Sequence, residues 1–222
     1  SMSLKEGSQY YSAAILMNNT GQVIGVYRKT HLNKHESAWA SAGHELSVFE
    51  TPLGRIGMMI GDEVRIPDIT NVLAMKRADI IIIPSAWYGQ YGSSVEIEPG
   101  LLRQAYPPNT MSFWYNIAKY SQAYTLVANY VGSPKHFQGS SALYTLDPIE
   151  AHYLPITADA THETALKVTF DTLGKNDWWM NQNNLILGKR VELHPPLTLE
   201  YESLCFKAWR KNSKQNDFCW NH

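Results

Sequence analysis

Residues 10–17 (YYSAAILM) are rich in strand formers, and the polar cluster Asn18-Asn19-Thr20-Gly21 follows them. Residues 22–29 (QVIGVYRK) repeat that character, so the pair predicts a β-hairpin. Residues 31–44 are polar and irregular and predict a loop. Residues 46–51 and 55–60 predict two further strands, joined by Pro52-Leu53-Gly54. Pro67 suits a first helical turn and Asp68 complements the dipole there. Ile69, Val72 and Leu73 continue at helical spacing, and Lys76 and Arg77 close the helix. Residues 78–87 (ADIIIIPSAW) carry four successive isoleucines, the pattern of a strand buried on both faces. Residues 88–109 hold glycines, prolines and few periodic apolar positions, which predicts a long surface loop of the kind that lines a site. Residues 111–120 predict a helix with Phe113, Trp114 and Ile117 on one face and Thr110 as its cap. Strands are predicted at 124–130, 141–146 and 166–170. From Trp178 onward the pattern is irregular, and 198–222 reads as a tail. The opening Ser-Met-Ser-Leu resembles an expression remnant, so residues 1–4 are set aside. With no repeat and no low-complexity linker, residues 1–222 predict a single domain.

Composition changes this picture little. The chain has 222 residues with seven Trp and thirteen Tyr, which implies a large core or a large interface. A net charge of -1 gives no electrostatic case for nucleic acid or an anionic membrane. No apolar run approaches the roughly 20 residues of a membrane span. Cys205 and Cys219 make neither a disulfide framework nor a zinc site, and two free thiols in a reducing compartment, the cytoplasm, are favoured over a disulfide. The eight histidines have no ligand spacing, so neither metal nor cofactor is expected.

The chemically informative stretch is Ile60-Gly61-Asp62-Glu63-Val64-Arg65-Ile66-Pro67-Asp68. An apolar strand ends, a small residue makes a sharp turn and a helix starts. Many α/β hydrolytic enzymes present a nucleophile at such an elbow. Here the turn residue is Gly61, which has no side chain to attack with.

Several motifs now resemble one family in chain order. Gly25-Val26-Tyr27-Arg28-Lys29-Thr30-His31-Leu32 resembles the lysine motif of the carbon–nitrogen hydrolases, the nitrilase/amidase superfamily. Residues 50–60 (ETPLGRIGMMI) look like the strand pair leading to that family's cysteine. Glu63, Arg65, Pro67 and Asp68 match the positions after it. Residues 83–87 (IPSAW), 122–129 (QAYTLVAN), 137–141 (FQGSS) with Asp147-Pro148, and Leu187-Gly188-Lys189-Arg190 with Pro195-Pro196-Leu197 resemble later family segments. The resemblance implies an α-β-β-α sandwich and a Glu-Lys-Cys triad. In that chemistry a thiolate attacks an amide or nitrile carbon, the lysine stabilises the developing charge and the glutamate moves protons.

The chain departs from that pattern. Gly61 stands at the nucleophile position. The family's first strand and helix, with the glutamate, have no counterpart ahead of Tyr10, so an N-terminally truncated sandwich is expected, and Glu6 is no convincing replacement. Lys29 keeps the catalytic-lysine position, its alternative being a surface lysine at a strand end. The backbone N–H of Asp62 is a candidate oxyanion donor, while its carboxylate is an unfavoured nucleophile. Glu63 and Arg65 are expected to form an ion pair that pins the elbow. His31 reads as a loop residue satisfying backbone groups. Trp87 and Tyr88 are candidate pocket walls, with plain core or interface aromatics as the alternative. Two functions compete. One is a fragment of a hydrolase for a small amide or nitrile, inactive as written. The other is a pseudoenzyme used for binding or oligomerisation. A homo-oligomer is expected in either case.

Overall fold

The computed structural model describes residues 1–88, 94–98, 101–104, 110–132, 137–145, 155–172, 182–203 and 207. It divides into two compact units, Ser1–Ile186 and Leu187–His222.

The first unit is built on two sheets. Strands β1 (Met2–Glu6), β2 (Gln9–Met17) and β3 (Val23–Arg28) form an antiparallel three-stranded sheet. Met2 pairs with Ala13 and Glu6 with Gln9. Met2, Ser3 and Leu4, from the segment set aside in the sequence, pair with Ala13, Ser12 and Tyr11 in this sheet. Asn18 shapes the β2–β3 turn, its carboxamide oxygen accepting from the N–H groups of Thr20 and Gln22.

The second sheet has six strands. β4 (Val48–Thr51) and β5 (Gly54–Met58) are an antiparallel pair, and β5, β6 (Ile80–Pro84) and β9 (Tyr124–Ala128) run parallel. β12 (Ala142–Tyr144) and β13 (Ile156–Thr157) complete it, in the order β13-β12-β9-β6-β5-β4. Helices α1 (Pro67–Met75) and α2 (Ser112–Ser121) make the crossovers that parallel pairing requires. Between them lies an antiparallel pair, β7 (Ser94–Glu98) and β8 (Leu101–Gln104), where a structureless loop is predicted. β10 (Val131–Gly132) and β11 (Phe137–Gln138) form another short pair.

The four isoleucines explain the layering. Ile81 and Ile83 pack with Ile69, Leu73, Trp114 and Ile117 under the helices. Ile80 packs on the opposite face with Ala14, Tyr27, Ile56 and Met58, and Ile82 lies against the same cluster. The two sheets are thus stacked on each other and one is covered by helices, three layers of an α-β-β-α sandwich among the described residues. Gly25 allows the stacking, since a Cβ there would sit 2.6 Å from the Phe49 ring. Met2, Met17 and Ile24 of the small sheet remain exposed.

Other expectations change. Residues 166–170 form no strand. α2 is capped at Met111 with no side-chain bond, so Thr110 is not its cap. α3 (Gln182–Leu187) and α4 (Pro195–Glu202) put regular helix in the region read as irregular, α4 running into the predicted tail. Cys205, Cys219 and the Asp147-Pro148 turn lie outside the described residues.

Candidate active site

The elbow leaves the carboxyl end of β5, the edge at which parallel α/β sheets bind ligands. After Met59 and Ile60 the chain turns into a short 3-10 helix, Gly61–Arg65, and then into α1. Gly61 has φ +55°, the left-handed region where glycine has no Cβ penalty. A Cβ built there would meet no heavy atom of the described residues within 4 Å, so among them only backbone strain opposes a side chain.

Glu63 fastens this turn to the end of β3. It is 1% exposed. Its Oε1 accepts from the Tyr27 hydroxyl (2.7 Å), the Thr30 N–H and hydroxyl (both 2.9 Å) and the His31 N–H (3.1 Å). Its Oε2 accepts from the Ile60 N–H at 2.8 Å. A buried carboxylate is tolerable only with such a donor set. The expected Glu63–Arg65 ion pair is therefore corrected: Arg65 is exposed and Glu63 points inward to the lysine strand. Burial, reinforced by the charge of Glu63, raises the Tyr27 hydroxyl pKa far above its usual value. Tyr27 is a neutral donor here. His31 sits as a loop residue, its ring Nδ1 2.8 Å from the Thr30 hydroxyl oxygen.

Lys29 follows directly on β3. Its N–H donates to the Ser12 carbonyl (2.8 Å) and its carbonyl accepts from Gly43 (2.9 Å). The side chain is 2% exposed. Its Nζ donates to Glu36 Oε2 at 2.5 Å and to Asp62 Oδ1. An ammonium has three N–H donors, and the third has no partner among the described residues.

Glu36 was not singled out in the sequence, yet a local signal marks it. Asn33 and Glu36 form a reciprocal capping box: Asn33 Oδ1 accepts from the Glu36 N–H (3.0 Å), and Glu36 Oε2 accepts from the Asn33 N–H (3.1 Å). The same carboxylate oxygen reaches Lys29. Asp62 also differs from expectation, because its carboxylate faces the ammonium. Its N–H remains one of the helix-start donors that have no partner within the helix, since the first internal bond runs from Glu63 N to Ile60 O (3.2 Å).

These groups line one cavity of about 440 Å³: Lys29, Glu36, Gly61 and Asp62 on one side, with Ser85, Trp87 and Tyr88 from the end of β6. Trp87 is fixed by Asn129 at the end of β9. Asn129 Oδ1 accepts from the Trp87 N–H at 2.7 Å, and Nδ2 donates to the Trp87 carbonyl (3.2 Å) and the Gly139 carbonyl (3.0 Å). Asn129 is a second positioning residue that the sequence alone did not reveal. The buried Ser85 hydroxyl has no partner among the described residues. Chemically, the site offers a buried cation with a donor to spare among the described residues, two carboxylates hydrogen-bonded to it, and an aromatic wall. Residue 61 supplies no nucleophile. Among the described residues no cluster of His, Cys, Asp or Glu is arranged to hold a metal ion, and no helix is long and apolar enough to cross a membrane.

Comparison with known proteins identifies the family. The deaminated glutathione amidase of Bos taurus is 33% identical over 93 residues, covering 37% of this chain and 28% of the relative. The omega-amidase of Saccharomyces cerevisiae is 31% identical over 86 residues, covering 35% of this chain and 30% of the relative. These alignments thus span about three-tenths of each relative's length. The crystal structure of an amidase from Nesterenkonia sp. superposes with a TM-score of 0.65 at 19% identity, over 88% of this chain and 65% of that one, a likeness of fold. The family model for carbon-nitrogen hydrolases matches residues 1–149, and with it the chain belongs to the carbon-nitrogen hydrolase family.

Proposed function

We propose that this domain keeps the binding end of a small-amide or nitrile site and, by itself, does not turn such a substrate over through a cysteine thioester. The observation that carries the reading is the Lys29 ammonium, buried between Glu36 and Asp62 and facing the Gly61 turn in a shared cavity. A substrate carbonyl or nitrile nitrogen would take the third ammonium N–H, with the Asp62 N–H as a further donor. Glu36 would serve as the proton acceptor beside it. Without a sulfur at residue 61 no covalent intermediate forms. Losing a nucleophile typically costs many powers of ten, with a residual acceleration of about 10³–10⁴ over water. The parent activity would be hydrolysis of a small amide or nitrile in a reducing, cytoplasmic setting.

Ammonia release over a panel of aliphatic amides and nitriles in thiol-free buffer tests this. No release by the unmodified chain and measurable release by Gly61→Cys would support the reading. Robust turnover by the unmodified chain would refute it.

A pseudoenzyme that binds or oligomerises is the second reading. The exposed Met2 (53%), Met17 (58%) and Ile24 (41%) on the small sheet favour it, because apolar side chains in one sheet are commonly covered by another chain. Light scattering that finds a homo-oligomer would support that reading, and a monomer at high concentration would count against it.

A further inference from the structure

We infer that the ligand of this cavity carries an aryl group on a short spacer from its amide or nitrile, and that Tyr88 is the residue that selects the ring. This deepens the amide-site reading and rests on it.

The cavity is divided by chemistry. Lys29, Glu36 and Asp62, from the end of β3, the loop after it and the elbow, place charge on one side. Pro84, Ala86, Trp87 and Tyr88, from one segment at the end of β6, make the other side apolar. A head group held by the Lys29 ammonium therefore leaves its substituent to the β6 side. The volume of about 440 Å³ lies in the range of about 300–1,000 Å³ that buries ring-bearing ligands, and a two- or three-carbon amide would fill little of it.

The apolar side is built from rings that are held in place and yet face solvent. Tyr88 is 58% exposed. It forms an antiparallel bridge with Phe137, and the two rings meet edge-on at 6.4 Å with an interplanar angle of 87°. Phe137 in turn packs on Tyr130, itself 64% exposed, at 5.4 Å. The three strand ends that carry these rings are tied together. The Gly139 N–H donates to the Tyr130 carbonyl at 3.0 Å, and the Asn129 carboxamide bonds both Trp87 and the Gly139 carbonyl. Trp87 adds a further ring, braced by Phe113 at 5.6 Å. Exposed apolar surface of this kind, continuous with a cavity, marks a binding surface. Rings already fixed lose little freedom when a flat ligand settles on them, and an aromatic partner gains from the ring quadrupole as well as from burial. Tyr88 both lines the cavity and begins this row, so the substituent meets it first.

With glycine at residue 61, binding can be titrated directly on the unmodified chain. Ligand-observed NMR would compare phenylacetamide, cyclohexylacetamide and propionamide. Cyclohexylacetamide matches phenylacetamide in size without offering a π face. We expect phenylacetamide to bind at least tenfold more tightly than propionamide, and about threefold or more tightly than cyclohexylacetamide. Tyr88→Leu should remove the preference between the two ring amides and Tyr88→Phe should keep it; both fall on an exposed side chain that the fold tolerates changing. Equal affinities for the two ring amides would overturn the inference, as would a preference that survives Tyr88→Leu. A change of oligomeric mass in Tyr88→Leu, with no binding of phenylacetamide to the unmodified chain, would also overturn it and assign the rings to a protein interface. If all three amides bind alike and Lys29→Met loses them, the aryl inference falls and the amide-site reading stands. If none binds, the amide-site reading falls and takes the inference with it.

Discussion

The latch and the attack position are adjacent in the elbow, yet they are built to opposite standards. The latch joins Glu63 to Tyr27, Thr30, His31 and Ile60 through five hydrogen bonds in a buried setting. The attack position, Gly61 and Asp62, opens onto the cavity with no atom of the described residues crowding the glycine. The difference separates two requirements that one short segment serves. The turn's shape depends on Glu63 and is indifferent to what residue 61 can do chemically. An elbow can therefore lose its nucleophile and keep its geometry, and the strained φ of +55° is easier for glycine than for any other residue.

The largest way to break this comparison is Glu63→Ala. It removes the acceptor of five donors at once and should destabilise the fold by about 3–5 kcal/mol, read by chemical denaturation. A loss under about 1 kcal/mol would mean the latch is ornamental. Lys29→Met comes next. It leaves Glu36 and Asp62 facing each other without a cation, but both reach solvent in part, so the expected loss is about 1–3 kcal/mol.

Alkaline titration sharpens the latch further. The folded pKa of Tyr27 lies above the unfolded value because burial and Glu63 disfavour the phenolate. Its contribution is complete below about pH 10 and is lost as the pH climbs toward the folded pKa, since only the unfolded chain then releases the proton. Above about pH 10 that loss is about 1.4 kcal/mol per pH unit for each such tyrosine. Tyr144, also raised by burial, adds to it. Tyr27→Phe should make the stability-against-pH curve shallower by one such share; an unchanged slope would contradict the buried-donor role.

Asn129→Ala probes the wall instead of the latch. It strips the Trp87 backbone of two partners, should cost about 1–2 kcal/mol, and should shift the tryptophan emission as the indole loosens. A loss of similar size, from backbone strain in place of lost hydrogen bonds, is expected at the attack position. Gly61→Ala meets no steric neighbour among the described residues, so the left-handed backbone is what resists it, at about 1–2 kcal/mol. A larger loss would show that residue 61 is packed after all.

Much of this was legible in the chain. Lys29 and Gly61 stand in local motifs whose strand–turn–helix context survives in the structure, and the four isoleucines marked the central strand. Three misses have different physical origins. Met2–Glu6 alternates like a strand, but its first three residues fall in the segment 1–4 that resembles an expression remnant. Ser94–Glu98 and Leu101–Gln104 flank Pro99-Gly100, a turn signal submerged in a glycine-rich stretch. Glu36 and Asn129 belong to a harder class. The Asn33–Glu36 capping box is readable locally, but its second task depends on a lysine held against an elbow 32 residues later in sequence than Lys29. Asn129 meets Trp87 across 42 residues through the parallel pairing of β6 with β9. Topology, not local pattern, makes those contacts.

The most direct measurement is intact-mass analysis of the Gly61→Cys variant and the unmodified chain after incubation with propionamide in thiol-free buffer, alongside ammonia release. The account predicts a propionyl adduct and ammonia for the variant, neither for the unmodified chain, and loss of both when Lys29→Met is added. Ammonia from the unmodified chain at the variant's rate, or an adduct that forms equally well without Lys29, would contradict it.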